Sequence, residues 1–408
     1  MGFLAFAFTI LGLIHLYLWK RLVRDTTRRG PWRRAGGIAA ILLPVLVAAT
    51  LVGTRMGAWW LAWPGYLWLA LMFYLLVTLV LLEVPMLVAK IWLRVRRRRA
   101  RAAEPAPELV STGGPPSEPP ATSTPASAAT PADHDNSRRL LLARGAAIFA
   151  GLTAASVTGY GIRSALGPPQ LDRVRIPLTK LPRSMDGARI ALVADIHLGP
   201  LRGRGHTQRI VSMINDMDAD VVAVVGDLVD GTVEELGAAA APLRDLRSRR
   251  GSFFVTGNHE YFSGYEPWLD ELTALGVRPL RNERLEIDGL DLAGVNDVTG
   301  EEFDDGPDFA KTFDGRDPSR PVVLLAHQPV QVHEAAKHGV DLQLSGHTHG
   351  GQMMPFHLLV GLEQPVVSGL ATIDGTRVYV TNGAGFWGPP VRVGAPPQVT
   401  LVELTAVG

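Results

Sequence analysis

The sequence predicts an α/β catalytic domain behind a helical, membrane-embedded region, and three observations predict it. Five short polar segments in the second half each follow a run of β-type apolar residues. Uncharged apolar stretches of membrane-spanning length fill most of the N-terminal quarter. A tract rich in Pro, Ala, Ser and Thr separates the two. A chain of 408 residues has room for two or three units, and 47% hydrophobic content with a positive mean hydropathy is high for a wholly soluble protein.

The polar segments are Asp195-Ile196-His197, Gly226-Asp227-Leu228-Val229-Asp230, Gly257-Asn258-His259-Glu260, Ala326-His327 and Gly346-His347-Thr348-His349-Gly350-Gly351-Gln352. They follow apolar runs at residues 190–194, 221–225, 253–256, 322–325 and 340–344. In an open α/β sheet, ligands gather beyond the carboxyl ends of strands, so strands that each deliver His, Asp or Asn there converge on one site. Carboxylate and imidazole suit Mn, Fe, Zn and, less well, Mg, and zero cysteines leave no thiolate site. A cation pair roughly 3.5–4 Å apart can clamp the attacking and leaving oxygens of an in-line displacement, and it lowers the pKa of bound water from about 15.7 towards about 7. Gly226, Gly257, Gly346, Gly350 and Gly351 let tight turns pass close to metal and phosphate. Taken singly, these segments are ordinary polar loops or helix caps. Five in this order point to a two-metal phosphoester site.

This order of motifs resembles the calcineurin-like metallophosphoesterase superfamily, over about residues 174–405. The resemblance implies a four-layer sandwich, two β-sheets flanked by helices, with the metals at the sheet edge. It implies that Asp195, His197, Asp227 and His349 hold one divalent cation and that Asp227, Asn258, His327 and His347 hold the other, Asp227 bridging. The nucleophile is then a hydroxide bridging the metals. His259 is no ligand in the family; it faces the leaving oxygen, oriented by Asp230. Manganese is the first expectation for the metals, with Fe, Zn or Mg as alternatives. The chain departs from two branches. Protein Ser/Thr phosphatases place a phosphate-gripping Arg after the second motif, where Gly231 and Thr232 stand here. Purple acid phosphatases use a Tyr ligand, and none occurs in residues 226–251. What remains resembles the bacterial membrane-associated phosphodiesterase branch, which includes twin-arginine-exported enzymes.

Three helices are expected to span a membrane within residues 1–101. Residues 3–19, 36–53 and 57–82 are uncharged runs of 17, 18 and 26 residues, near the 20 or so that cross a ~30 Å hydrocarbon core. The net charge of +1 hides basic clusters: residues 20–34 and 90–101 hold seven Lys/Arg each, whereas the loop between the second and third spans has only Arg55. The positive-inside rule puts both basic loops in the cytoplasm. Trp59, Trp60, Trp63, Tyr66 and Trp68 read as an interfacial aromatic belt at the outer end of the third span. His15 and Glu83 are expected to have structural roles. Residues 102–137, with eight prolines and no aromatic residue, read as a disordered linker. Residues 138–163 open on Arg138-Arg139 and continue through a moderately apolar, Gly/Ala-rich run, as either a fourth transmembrane helix or a twin-arginine-type signal anchor. Either way the domain at residues 170–408 lies on the extracytoplasmic side of the cytoplasmic membrane.

Within that domain, residues 207–217, 233–247 and 265–275 read as helices, and residues 284–295 as a hairpin turning at Asp288-Gly289. Strands at 377–380 and 398–404 flank a loop whose Gly385, Phe386 and Trp387 are candidates to contact substrate; the alternative is a surface turn with Phe386 and Trp387 packed inwards. His206, near the first motif, is another candidate, or else solvent-facing or structural like His333, His338 and His357. The expected activity is hydrolysis of phosphodiester or pyrophosphate-type bonds in a small-molecule or lipid-linked substrate. Membrane lipid and the twin-arginine export machinery are expected partners. A phosphomonoesterase is the first rival, and a non-catalytic membrane sensor or scaffold is the second. His259 and Asp230 argue against the latter, because a pure binding site needs no leaving-group acid. No basic, aromatic-interleaved patch points to nucleic acid.

Overall fold

The computed structural model describes residues 2–102 and 131–407, in two compact units. One comprises Met1–Ala48 and Leu71–Ser156; the other comprises Ala49–Ala70 and Val157–Gly408. Four long helices run through them: α1 (Gly2–Leu18, continued by a π-helical turn over Trp19–Arg24), α2 (Pro31–Gly53), α3 (Ala62–Ala102) and α4 (Pro131–Leu166). All four are long and apolar enough to cross a membrane. Helix α3 runs well past the apolar stretch, through the basic cluster, because Arg, Leu and Ala are all strong helix formers. Helix α4 starts inside the expected linker, at Pro131, proline being favoured at the first helical position. Residues 103–130 of that linker lie outside the described residues. In the first unit Glu83 accepts a hydrogen bond from the Tyr17 hydroxyl at 2.9 Å and pairs with Arg21 at 3.0 Å, while Arg144 donates to the Thr26 carbonyl at 3.0 Å. A carboxylate among apolar helices is thus paired, as burial of charge requires.

The second unit contains two six-stranded sheets. Chain order runs β1 (Gln170–Leu178), β2 (Arg189–Val193), α5 (Arg204–Asn215), β3 (Val221–Val225), α6 (Val233–Ala240), β4 (Ser252–Val255), α7 (Asn258–Ser263), α8 (Tyr265–Ala274) and β5 (Val277–Pro279). It continues with β6 (Glu283–Ile287), β7 (Leu290–Gly294), α9 (Phe309–Phe313), β8 (Val322–Leu325), α10 (Val332–Lys337), β9 (Leu342–Ser345), α11 (His357–Val360), β10 (Gly369–Ile373), β11 (Thr376–Val380) and β12 (Gln398–Ala406). One sheet has the order β1-β12-β2-β3-β4-β5 and the other β10-β11-β9-β8-β7-β6.

Period-two alternation decides which residues meet. Ile190, Leu192, Ala223, Val225, Phe253 and Val255 of the first sheet bury against Leu292, Val323, Leu325, Leu342 and Leu344 of the second. Their alternates Ala191, Val193, Val222, Val224 and Phe254 face the outer helices, with Ile210, Leu236 and Trp268. Across the other sheet Val322 and Leu324 pack on Phe309, Phe313 and Ala335. Strands buried on both faces read as continuous apolar runs, which is why residues 221–225 carry no polar position. The result is the four-layer sandwich that the order of motifs leads one to expect, two sheets with helices on their outer faces.

Strands β2, β3 and β4 are parallel neighbours, as are β8, β9 and β11 in the other sheet. Each sheet therefore sends three loops off the same kind of edge. The hairpin is observed with Ile287 opposite Leu290, and Gly289 turns at φ 87°. In the α2–α3 connection, Trp59 packs against the outer core of this unit, whereas Trp60 and Trp63 are exposed.

Candidate metal centre

The motif loops leave their strands in a strained conformation. Asp195, His197, Asp227, His347 and His349 all have positive φ, between 48° and 70°, a region that costs a side-chain-bearing residue about 1–3 kcal/mol. The backbone is held there by its neighbours: Asp195 N donates to Gly226 O at 3.0 Å, His197 N to Asp227 O at 3.1 Å and Gly346 N to His327 O at 3.0 Å. Gly226 and Gly257 pack so tightly that a Cβ on Gly226 would lie 2.7 Å from the Gly257 nitrogen.

Three sets of side chains result, each with its ligand atoms within 4.8 Å of one another: Asp195, His197 and His349; Asp227, His327 and His347; and His197, Asp230 and His259. Asp227 joins the first two sets, with Oδ2 3.6 Å from His197 Nε2 and 3.2 Å from His327 Nε2. Asn258 Oδ1 lies 3.1 Å from His347 Nδ1. His327 Nδ1 donates to the Val225 carbonyl at 2.9 Å and His197 Nδ1 to Asp230 at 2.8 Å, which leaves each Nε2 facing inward. Asp230 Oδ1 also lies 2.7 Å from His259 Nδ1, so one carboxylate holds two imidazoles.

Burial pulls His197 down, and burial with the nearby His327 charge takes His347 to about 3; burial with Arg392 holds His349 well below the usual histidine range. Burial opposes charge on His259, but Asp227, Asp230 and Glu260 outweigh it and lift its pKa to about 9. Burial raises Asp195 to about 7; the same pressure on Asp227 is overcome by His327, His259 and His197, which hold it well below the usual carboxylate range. Nε2 of His197 and Nε2 of His349 face each other at 3.0 Å, and His349 Nδ1 is buried without a hydrogen-bond partner. Burial opposes charge on His327, but Asp227 and Asp195 outweigh it and hold its pKa well above the usual histidine range, so a cation bound there would displace a proton. Imidazoles and carboxylates aimed at shared space form a donor set that fits divalent cations.

Three buttressing residues were given no role in the motif reading, although Glu260 stands in the third motif. Glu260, 1% exposed, accepts from the backbone nitrogens of Gly257, Leu228 and Asp227 at 2.7, 2.8 and 3.0 Å, tying the third motif to the second. Its place three residues after Gly257, at the start of α7, is the capping position where a Glu commonly reaches back to the chain. Arg392, fully buried, donates to the carbonyls of His349, Asn382 and Gly383. Arg202 donates to the carbonyls of His197 and Phe386 and stacks its guanidinium over the Phe386 ring at 3.4 Å. Burial lowers both arginines to about 9, so both stay cationic at neutral pH. Neither lies in a recognisable motif, and only the folded chain brings them to the site.

Residues 188–351 match the family described as calcineurin-like phosphoesterase. An uncharacterized metallophosphoesterase of Helicobacter pylori is 40% identical over 255 residues, covering 61% of this chain and 68% of that one. The chain belongs to the calcineurin-like metallophosphoesterase family. A transmembrane protein with metallophosphoesterase domain from Danio rerio is 39% identical over 271 residues, 63% of this chain and 62% of its own length, and a protein of the same name from Bos taurus is matched over 64% of its length. The chain thus spans somewhat under two thirds of these vertebrate relatives. A dimetal phosphatase from Danio rerio of known structure aligns with 54% of this chain and 93% of its own, at 13% identity and a TM-score of 0.36.

Relatives of this family in both bacteria and vertebrates leave the bacterial export branch as a finer matter. Against the expectations for substrate contact, the loop after β11 divides. Phe386 is 2% exposed beneath Arg202, the inward packing that the sequence left open as the alternative. Gly385 is buried and donates its N–H to the Asp195 carbonyl at 2.8 Å, bracing the first motif. Trp387 is half exposed, 6.1 Å from the His259 ring and across from Phe262, whose ring lies 5.9 Å from His259. His206 is neither solvent-facing nor in the clusters: it is 5% exposed within α5, and burial with Arg202 and Arg209 takes its pKa to about 3. His338 stacks on Phe309 and Phe313, and His333 pairs with Asp374 at 2.9 Å.

Proposed function

We propose that this protein is a membrane-anchored phosphoesterase with two divalent cations, hydrolysing phosphodiester or pyrophosphate-type bonds. One observation carries the reading: Asp227 lies between two sets of His/Asp donors, while His259 stands beside them on its own carboxylate, Asp230. Asp195, His197, Asp227 and His349 would hold one cation, and Asp227, Asn258, His327 and His347 the other. Manganese is the first candidate, with Fe, Zn and Mg as alternatives, because imidazole and carboxylate donors accept each of them. When bound, the pair supplies charge neutralisation at phosphorus and water of lowered pKa.

The chain's own residues do the rest. Asp230 fixes the tautomer of His197 and turns the other face of His259 outward, so that His259 can donate to the departing oxygen. Trp387 and Phe262 lie beside that imidazole with apolar surface, suited to a leaving group that carries an organic moiety on its departing oxygen. The two buried arginines nearest the site are spent on backbone carbonyls, and Gly231 and Thr232 stand where a phosphate-gripping Arg would be. That arrangement favours a diester, with one negative charge at phosphorus, over a monoester with two.

The four apolar helices and the transmembrane-protein relatives support an anchor in a membrane. The basic loops give multi-pass topology in the cytoplasmic membrane, with the catalytic domain outside and Arg138-Arg139 inside, as in the twin-arginine-exported branch. The substrate is then a phosphorylated compound of that membrane or envelope.

Turnover of bis-(p-nitrophenyl) phosphate and of p-nitrophenyl phosphate by the full chain in detergent, with Mn, Mg, Zn or Fe after chelation, tests this. Metal-restored turnover with the diester preferred is expected. Preference for the monoester would overturn the bond assignment, and no turnover with any metal would favour the sensor or scaffold.

A further inference from the structure

The stretch after the last motif does not behave like the surface of a soluble enzyme. Residues 351–362 contain no Asp, Glu, Lys or Arg, and Met354, Leu358, Leu359 and Leu362 are 45, 65, 57 and 83% exposed. Three of these leucines sit on and just after the single turn α11. Exposed apolar side chains gathered in one uncharged run mark a surface that meets a partner or a membrane.

The backbone ties this patch to the end of a helix able to cross a membrane. Met353 forms a bridge with Val393, Met354 N donates to Val393 O at 3.0 Å, and Val393 N donates to Gln352 O at 2.8 Å. Arg392 N in turn donates to Gly161 O of α4 at 3.0 Å, where a Cβ on Gly161 would come within 2.9 Å of Val393. The other side of the strip leads to the site. Gln352 accepts from Trp387 N at 3.0 Å and donates to Trp387 O at 2.8 Å, and a Cβ on Gly388 would lie 3.7 Å from the Tyr66 ring at the start of α3. The exposed Trp60 and Trp63 belong to the same unit. The leucine patch, the Trp387 rim of the metal site and the ends of two apolar helices form one connected strip.

We propose that residues 354–362 are an interfacial segment, whose Leu358, Leu359 and Leu362 enter the head-group boundary of the bilayer that the helices cross. An apolar face of this kind lies roughly 5–10 Å into that boundary, in the plane of the membrane. The mouth of the metal site, flanked by Trp387, then opens at head-group level, and the substrate class is an amphiphilic phosphoester whose apolar part stays in the bilayer while its phosphorus reaches the metals. This rests on the reading of the helices as membrane-spanning and of the site as a phosphoesterase.

The chain has no native cysteine, so single labels are clean. Full-length Leu358→Cys and Leu362→Cys proteins, carrying the environment-sensitive fluorophore NBD, are reconstituted in phosphatidylcholine/phosphatidylglycerol liposomes with and without lipids bearing a nitroxide quencher near the head group. Ser319→Cys, exposed before β8 and so at the opposite end of that strand from His327, is the control. The expected result is blue-shifted emission, strongly quenched, at 358 and 362, and water-like, unquenched emission at 319. Water-like emission at all three positions overturns the proposal. So does shielding at 358 and 362 without quenching, which would show that protein, a second copy or residues 103–130, covers the patch. The readout needs no turnover, so quenched probes on an inactive protein would refute the phosphoesterase reading alone, and unquenched probes on an active one would refute the membrane contact alone.

Discussion

Asp227 and Asp230 are three residues apart and do different work. Asp227 faces both donor sets, so Asp227→Asn keeps its shape and loses the charge between two cations. Metal content, read by elemental analysis of the purified chain, is expected to fall together with turnover; two metals per chain at the normal rate would refute the bridge. His259→Ala is expected to keep both metals and to slow turnover by roughly 10²–10⁴-fold, more for alkyl than for nitrophenyl leaving groups. Loss of a metal in that variant would make His259 a ligand. Asp230→Asn should not simply copy it. Because Asp230 holds His197 as well as His259, this variant is expected to weaken metal binding and turnover together, by about 10–100-fold in metal affinity. Metal affinity equal to the parent's would show that His197 needs no such partner. The sequence showed Asp230 beside one histidine; only the fold gave it a second.

At the scale of elements, the strands set the direction of each motif and buried side chains hold the loops in strained geometry. Arg392 satisfies three carbonyls, two of them in the loop after β11 and one on His349. Arg392→Met leaves the Asn382 carbonyl without its donor, whereas His349 O still accepts from Gln352 N and Gly383 O from Gln398 N, and is expected to cost about 1–2 kcal/mol of stability, seen as a lower Tm of the full chain in detergent. An unchanged Tm would mean that water replaces the guanidinium. Far from the metals, Asp220 clamps the sheet margin by accepting from Arg189 N at 2.8 Å, Arg249 at 2.6 Å and Arg250 at 2.5 Å. Burial raises its pKa, but these donors win and hold it below the usual carboxylate value. A depressed pKa contributes stability that is present above the unfolded value and lost as pH falls through the folded one. Asp220→Asn is therefore expected to cost about 1 kcal/mol at neutral pH, an estimate kept low because Arg249 is half exposed. The gap to the parent should shrink as the pH drops below about 4. A gap that persists in acid would assign the loss to shape, not charge.

For the whole molecule, orientation is the open physical quantity, and the charge distribution predicts it. A cysteine at Ser117, which lies outside the described residues, is expected to resist an impermeant thiol reagent in intact cells and to react after lysis. Labelling in sealed cells would invert the orientation and place the catalytic domain in the cytoplasm. The same inversion would leave the geometry of the metal centre untouched, because the donors come from β-sheet loops of one unit.

Much of the fold was legible in the chain because strands and spanning helices write their burial into local pattern. The runs at 221–225 and 322–325 are strands at those same limits, and residues 3–19, 36–53 and 57–82 fall in α1, α2 and the α3 region. The nine motif residues were legible because their chemistry is improbable as loop composition, and the structure brings all nine to one edge of the sandwich. Their roles follow from geometry that pattern does not encode. Glu260, Arg202 and Arg392 reach the site by hydrogen bonds to backbone groups, some of them far away in sequence (Glu260 to Asp227 and Leu228, Arg202 to Phe386, Arg392 to His349), and a bond to the backbone leaves no mark on the residue that owns it. Phe386 and Trp387 are adjacent and equally apolar, yet one is buried under a guanidinium and the other forms the rim, because successive residues of an extended loop point opposite ways. The leucines at 358, 359 and 362 are of the same residue type as those that fill the core. Only the tertiary structure shows that nothing in the described residues of their unit covers them, since burial depends on which surfaces the fold brings together.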